Sequence, residues 1–282
     1  MLSQQTLVSI GLPVFNGEAT IEQTLSSLLK QSHQNLEIIV SDNCSTDATV
    51  AICEKYQRID DRIKIHRQPT NQGAIKNFKS TLADALGKYF MWAAADDSWN
   101  EKFVQCAVDQ LEADASLIGV NIAPKNLPTV ASVLDGYLGF EEDSVNERLA
   151  SFLQLMPDSN SRFYSLYRTQ VLKGLAYPSD HAYAWDWIVV VELLKHGKLR
   201  VIYSEEAGFT KTYGGASVSR YNVLRFIAEP LDYLRPMVHF SRSIPFEVRH
   251  HKYKKMIYLE IYFCLKLWYQ CFLFLKDSVL KK

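Results

Sequence analysis

Between residues 8 and 93, four short apolar runs alternate with three stretches whose apolar residues recur every three or four positions. Such a chain has few choices. The runs suit strands buried on both faces, and the stretches suit helices that cover them. Val8–Leu12 is the first run, closing in a turn over Pro13–Gly17, after which Ile21, Leu25, Leu28 and Leu29 fall at helical spacing. Leu36–Ser41 is the second, followed by Ser45, Thr46 and Asp47, capping-type residues for a helix reaching about Tyr56. Ile63–His66 is the third, and Ile75, Phe78, Leu82, Ala85 and Leu86 then line one face of a helix that stops at Gly87. Tyr89–Ala93 is the fourth, and it runs almost directly into Asp96 and Asp97. The alternation predicts an α/β fold, a mostly parallel sheet flanked by helices, whose ligands bind at the carboxyl ends of the strands.

Farther on, the pattern predicts a helix near Glu101–Glu112, a strand near Leu117–Ile122, a strand over Arg162–Arg168 and a helix over Trp185–His196 closed by Gly197. No repeat or Pro/Ser-rich linker interrupts it, so residues 1–225 read as one unit. At 282 residues and 48% hydrophobic, the chain can bury a sizeable core. Its formal charge is zero but uneven: residues 226–282 carry 10 Lys and Arg against 5 Asp and Glu, leaving 21 against 26 in the body. An acidic body argues against a nucleic-acid partner, while a basic end suits a surface-binding tail. Five cysteines with no CxxC pair suit neither a zinc knuckle nor a disulfide framework, and fit a reducing cytoplasm. The opening MLSQQTLVSIGLPVF lacks the basic start and small-residue cleavage site of an export signal and reads as a first strand.

Four polar loops fall on the carboxyl edge: PVFNGE (13–18), SDNCSTD (41–47), NQGAIKN (71–77) and AAADDSW (93–99), with a further element at Trp185–Trp187. In this order and at these positions they resemble the family 2 glycosyltransferases, over roughly residues 6–220. The resemblance implies a GT-A, Rossmann-like domain over 1–225, a helical extension over 226–282, and inverting transfer from a nucleotide-diphosphate sugar. Other proteins on related sheets set the alternatives. A sugar nucleotidyltransferase begins with a Gly-rich phosphate loop, which PVFNGE is not. A non-catalytic sugar-nucleotide or glycan-binding module would keep the fold without turnover.

By the resemblance, Pro13, Phe15 and Glu18 wrap the nucleoside, and Asp42 hydrogen-bonds the base. The residues themselves leave Phe15 open to a second reading, a ring packed inward behind a Pro/Asn/Gly turn. Asp42 is assigned to ligand and Asp47 to helix capping. Asn71, Gly73 and Lys76 sit where a loop meets a helix start, a place that suits phosphate, with a solvated Lys76 as the other reading. Adjacent carboxylates at Asp96 and Asp97 repel unless something positive compensates them, and a divalent Mn²⁺ or Mg²⁺ is the natural candidate. Asp97 is taken as the direct metal ligand and Asp96 as a ligand of metal or donor sugar, the other reading being a carboxylate pair that starts a helix directly after Ser98. The family pattern is often Asp-x-Asp-Asp, and here its first position is Ala94.

The reaction also needs a base for the acceptor hydroxyl. Asp186 holds that position in AWDWIVVVELLKHGK, with Trp185 where relatives often carry Glu. Trp185 and Trp187 are expected to raise the pKa of Asp186 and to offer stacking faces to an acceptor sugar; an N-cap aspartate with core tryptophans is the other reading. KTYGGASVSR (211–220) falls where relatives have a loop closing over the diphosphate; Tyr213, Ser217 and Ser219 match, with Lys211 or Arg220 as the basic substitute. No QxxRW follows Asp186, which favours single addition over processive synthesis. The acceptor is expected to be a cell-surface glycan or a lipid-linked sugar.

Residues 249–282 carry 8 Lys and Arg against 2 Asp and Glu, around an apolar, aromatic stretch from Met256 to Leu275. Glu260, Lys266 and Gln270 interrupt it, and a charge at a bilayer centre costs about 2.5–3.5 kcal/mol, so spanning is disfavoured. Two readings stand: an interfacial segment on the cytoplasmic face of a membrane, or helices packed on the body or on a second subunit of a homo-oligomer.

Overall fold

The computed structural model describes residues 5–124, 138–154, 160–177, 184–210 and 238–252, with positions 254, 256–258, 261, 262, 264 and 265 beyond. β1 (Val8–Val14) lies parallel between β2 (Leu36–Asp42) and β4 (Tyr89–Trp92), and β3 (Ile63–Arg67) is the edge strand outside β2. Past β4 come β7 (Leu166–Arg168), β6 (Leu117–Pro124) and the other edge strand, β8 (Lys198–Ser204). β7 is antiparallel to both neighbours, and β6 and β8 are parallel to each other. β5 (Ser98–Trp99) pairs apart from this sheet with β9 (Phe209–Thr210). Because the chain winds outward from β1 to β3 and then returns to place β4 on the other side, the switch in strand order lies between β1 and β4, where a crevice forms at the carboxyl edge.

All seven residues of β1 are buried, which explains an apolar run broken only by Ser9. Val8, Ile10, Leu12 and Val14 share one core with Ile21, Leu25 and Leu28 of α1 (Ile21–Leu29) and with Phe103, Val104 and Ala107 of α4 (Phe103–Ala113). On the other face, Gly11 matters: a Cβ there would collide with Thr81 Oγ1 and with the Phe90 ring, so its absence lets α3 (Ala74–Ala83) lie close on the strand. α2 (Thr49–Gln57) packs on β3 beside α1.

That second face holds the larger aromatic core. Phe90 and Trp92 meet Phe152 of α5 (Val145–Phe152), Leu172 of α6 (Thr169–Lys173), Trp185 and Trp187 of α7 (Trp185–Leu194) and Phe240 of α8 (Val238–Ser243) within one buried cluster. Val248 of α9 (Phe246–His251) joins them. So residues 238–248 of the basic extension contribute apolar side chains to the body's own core.

Most boundaries fall within a few residues of expectation, and four do not. Arg162–Arg168 is not one strand: Ser161–Tyr164 is a 3₁₀ turn and only the last three residues pair. The alternation is real, but Arg162 is fully buried, its guanidinium 5.5 and 5.6 Å from the ring centroids of Phe140 and Phe152, which bends the chain before β7. No helix starts directly after Ser98; β5 intervenes. β8 was not anticipated, because KLRVIYS mixes charge with apolar residues and is the last strand of its sheet, with an isolated bridge from Leu199 to Phe140 beside its pairing with β6. Leu86 is exposed rather than on the core face of α3, which ends three residues earlier.

Candidate active site

The loop after β1 and the loop after β2 are stitched together. Asn16 accepts from Thr46 N–H at 2.9 Å, its own N–H donates to Ser45 Oγ at 2.8 Å, and Gly17 N–H donates to Thr49 Oγ1 at 2.8 Å. Asp47 accepts from Thr49 N–H (3.0 Å) and Glu18 N–H (3.1 Å), and Glu18 accepts from Ala48 N–H at 2.9 Å, so both carboxylates serve the start of α2. Pro13 is buried inside β1, whereas Phe15 is 48% exposed, so its ring is not packed inward. Asp42 ends β2 buried, its carboxylate accepting from Ser45 N–H at 3.2 Å.

The next loop is tied to the same edge. Asn71 Oδ1 accepts from Gly73 N–H and from Asn43 Nδ2, both at 2.9 Å, and Asn43 Oδ1 accepts from Gln72 N–H at 2.8 Å. Gly73 takes φ +85° just before α3, a conformation glycine permits, and Lys76 lies exposed in the first helical turn. Asn16, Cys44 and Ala184 are the other residues with positive φ among those described, and they too stand in loops of this edge or at the start of α7. Local strain thus gathers where ligands of such sheets bind.

Asp96 and Asp97 follow β4 at the switch point. Asp97 is buried, and its backbone carbonyl accepts from Thr24 Oγ1 of α1 at 2.8 Å, which holds the loop against the helix. Asp186 occupies the first turn of α7, where the helix dipole favours a carboxylate. Its Oδ2 accepts from Asn160 Nδ2 at 3.1 Å. Tyr164 links the two ends: burial raises its phenol well above the usual range, and the charges of Asp97, Asp186 and Asp96, in that order, push it further. Two adjacent carboxylates and a third far along the chain therefore act on one hydroxyl.

The tryptophans do not match their expected role. Trp185 and Trp187 are buried, because α7 is apolar on nearly every side and packs inside the protein. Trp185 meets Trp92 (5.9 Å), Phe163 (5.5 Å) and Tyr177 (5.9 Å), and Trp187 meets Phe152 (5.0 Å) and Phe240 (6.1 Å). These rings shape the wall behind Asp186 instead of offering an open stacking face. Lys211, Tyr213, Ser217, Ser219 and Arg220 lie outside the described residues. Asn160 and Tyr164 were missed in the sequence, where SNSRFYSLYR reads as the approach to a strand; the Asn-Ser pair, a turn-starting combination, was the one available signal.

As for a divalent ion, Asp96 and Asp97 supply hard oxygen atoms, the donor type that Mg²⁺ and Mn²⁺ prefer. Among the described residues, no three His, Cys, Asp or Glu side chains gather into a complete metal site.

Comparison with known proteins bears on the family and the fold. The model of the family described as Glycosyl transferase family 2 matches residues 9–173. An uncharacterized glycosyltransferase of Haemophilus influenzae is 28% identical over 219 residues, 76% of this chain and 82% of that protein. The poly(ribitol-phosphate) β-N-acetylglucosaminyltransferase TarS of Staphylococcus aureus is 34% identical over 122 residues, 40% of this chain and 21% of it. A TarS fragment solved with UDP-GlcNAc superposes with a TM-score of 0.59 at 24% identity, over 78% of this chain and 65% of that one. A mannosyltransferase of Pyrobaculum calidifontis, solved with GDP-Man and Mn²⁺, gives 0.60 at 13% identity over 99% and 81%. These likenesses show the fold, the GT-A type of α/β sheet. Two further curated relatives, at 38% and 40% identity, are matched over 40% and 32% of their own length, so the chain spans less than half of each.

Proposed function

We propose, from the premise that this chain belongs to glycosyl transferase family 2, that it is an inverting, non-processive enzyme moving a sugar from a nucleotide-diphosphate donor to a hydroxyl of a cell-surface glycan or lipid-linked acceptor. The observation that carries this reading is the placement of Asp96 and Asp97 after β4, at the switch in strand order, with Asp186 bound to Asn160 beside the 3₁₀ turn on which both β4 and α7 pack. Asp42, buried at the end of β2, and the Asn71–Lys76 loop stand on the same edge, where the nucleoside and the diphosphate would lie. Relatives whose names or titles include UDP-GlcNAc, GDP-Man and poly(ribitol-phosphate) support the donor and acceptor classes.

In the proposed reaction the acceptor oxygen attacks the anomeric carbon as the bond from that carbon to the diphosphate oxygen breaks. The hydroxyl proton passes to the Asp186 carboxylate, and the electron pair leaves with the nucleoside diphosphate. Asp97, with Asp96 beside it, would hold Mn²⁺ or Mg²⁺, whose charge neutralises the leaving diphosphate. Asp186 acts as a carboxylate, the form its place at a helix N-terminus favours. Buried Trp185 and Trp187 keep α7 rigid behind it.

The first test is thermal stability against UDP, dTDP and GDP and their sugars, with and without Mn²⁺. A ligand at 100 times its Kd stabilises by about 2.7 kcal/mol, a shift of several degrees. A shift with one nucleotide that grows with Mn²⁺, and that loses its metal dependence in Asp97→Asn, is the expected result. No shift with any nucleotide overturns the reading.

Membrane contact is part of the same proposal. Ile257, Ile261 and Leu265 recur four apart and are exposed, as are Tyr258 and Phe246, while Arg249, Lys252 and Lys254 lie nearby in the chain. Among the described residues, no helix is long and apolar enough to cross a membrane. An apolar ridge beside bases suits the surface of an anionic bilayer. In sedimentation with vesicles, the protein is expected to bind phosphatidylglycerol-containing bilayers more than neutral ones, with binding weakened by Ile261→Asp; equal recovery in the supernatant with both would refute it.

A further inference from the structure

We infer that Asn160 is the positioning residue of the site: its amide holds the Asp186 carboxylate in the orientation needed to take the acceptor proton. The inference rests on the reading of Asp186 as the base. Asn160 is only 6% exposed, and its Nδ2 donates to Asp186 Oδ2 at 3.1 Å. A carboxylate accepts hydrogen bonds and donates none, so the Asn160 amide must turn its nitrogen toward Asp186. Its Oδ1 is thereby left buried with no hydrogen-bond partner among the described residues. Unsatisfied buried polar atoms are rare in folded proteins because they cost stability, and they persist where another demand fixes the group. Here that demand is the carboxylate of α7.

The backbone under Asn160 is itself held on several sides. Its carbonyl accepts from Phe163 N–H at 3.1 Å, opening the 3₁₀ turn. Asn121 of β6 donates from Nδ2 to the Ser161 carbonyl at 2.9 Å and to Ser165 Oγ at 3.0 Å. Phe163 lies flat on Trp92, with centroids 4.7 Å apart and planes 3° from parallel. The turn is thus bound to β6 and to β4, the strand that leads to Asp96 and Asp97. A donor fixed in this way does two things to Asp186: it restricts rotation of the carboxylate, and it stabilises the charged form that a base requires. Asn160 therefore ties the geometry of the proton acceptor to that of the metal-side loop through one rigid turn.

The test is a double-mutant cycle with the donor that the nucleotide panel identifies, reading nucleoside diphosphate release alongside the melting temperature and the donor-induced shift. Asn160→Ala is expected to lower turnover about tenfold or more while the donor-induced shift stays as in the wild type. Asn160→Asp keeps the shape but replaces the N–H donor with a second carboxylate oxygen, and is expected to lose turnover as well, which covers the case of an alanine variant that folds poorly. In the Asp186→Asn background, Asn160→Ala is expected to have no further effect, the mark of one residue acting through another. Wild-type turnover in a folded Asn160 variant, or an equal fold-loss in both backgrounds, overturns the inference. If Asp186→Asn keeps its turnover, the base assignment fails first; if it loses turnover and the Asn160 variants do not, only the positioning role fails.

Discussion

Asp186→Asn is expected to bind its nucleotide sugar as the wild type does and to transfer about 10²–10⁴-fold more slowly, the usual span for a lost general base. The substitution changes almost no volume. Asn160 can still pair with an amide at position 186, because the new side chain brings its own carbonyl oxygen to the bond that Oδ2 now accepts. What disappears is the negative charge that receives the acceptor proton. Stability falls only by about 0.3–1 kcal/mol, since a carboxylate in the first turn of α7 also complements the helix dipole. Measuring turnover together with the donor-induced thermal shift separates the two effects. Unchanged turnover would remove Asp186 from the chemistry, and loss of both activity and donor shift would place it in the fold or the donor site instead.

Trp92→Ala is expected to cost about 3–5 kcal/mol, a large fraction of the about 5–15 kcal/mol by which such proteins are stable. Trp92 is wholly buried at the end of β4, and its Nε1 donates to the Phe78 carbonyl at 3.0 Å. Its ring stacks on Phe163 and meets the edges of Phe90 at 5.1 Å and Trp185 at 5.9 Å. Removing it opens a cavity between β4, the 3₁₀ turn and α7, while the Phe78 carbonyl keeps its bond from Thr81 Oγ1. A fall in melting temperature on the order of 10 °C, followed by circular dichroism, is the expected readout. Turnover should fall as well, because Tyr164 and Asp186 adjoin two of the rings that Trp92 supports. A variant melting within a degree or two of the wild type would show that the aromatic cluster is not what holds these elements together.

Much of the architecture was legible along the chain. Val8–Val14 and Leu36–Asp42 are buried at every position, and their mostly apolar runs report that, although the fold also takes Ser9, Glu37, Ser41 and Asp42 inside. α1 shows its core face as Ile21, Leu25 and Leu28, because a helix on a sheet needs one stripe and no more. α7 was visible as a helix for its length and its Gly197 stop, but its all-round apolar character was the sign of burial, and two tryptophans read as open stacking faces proved to be core. β7 was misread in extent because alternation continues through Arg162, a charged residue that the fold takes fully inside. A buried cation among aromatic rings breaks the rule that polar positions face water, so periodicity misleads at that point.

The order of residues settles which segments are strands and helices, and gathers the polar loops on one edge, because hydrophobic period, caps and turns act between near neighbours. It also supplies the chemically distinctive side chains, Asp42, Asp96, Asp97 and Asp186. Which of them meet is another matter. Insertion of β7 between β4 and β6, antiparallel to both, carries the turn of Asn160 and Tyr164 beside the loop of Asp97. Packing of α7 on that turn then brings Asp186 to Asn160. Those contacts join segments distant along the chain, and they follow from burying the aromatic cluster around Trp92, a requirement of three-dimensional packing that no local pattern expresses.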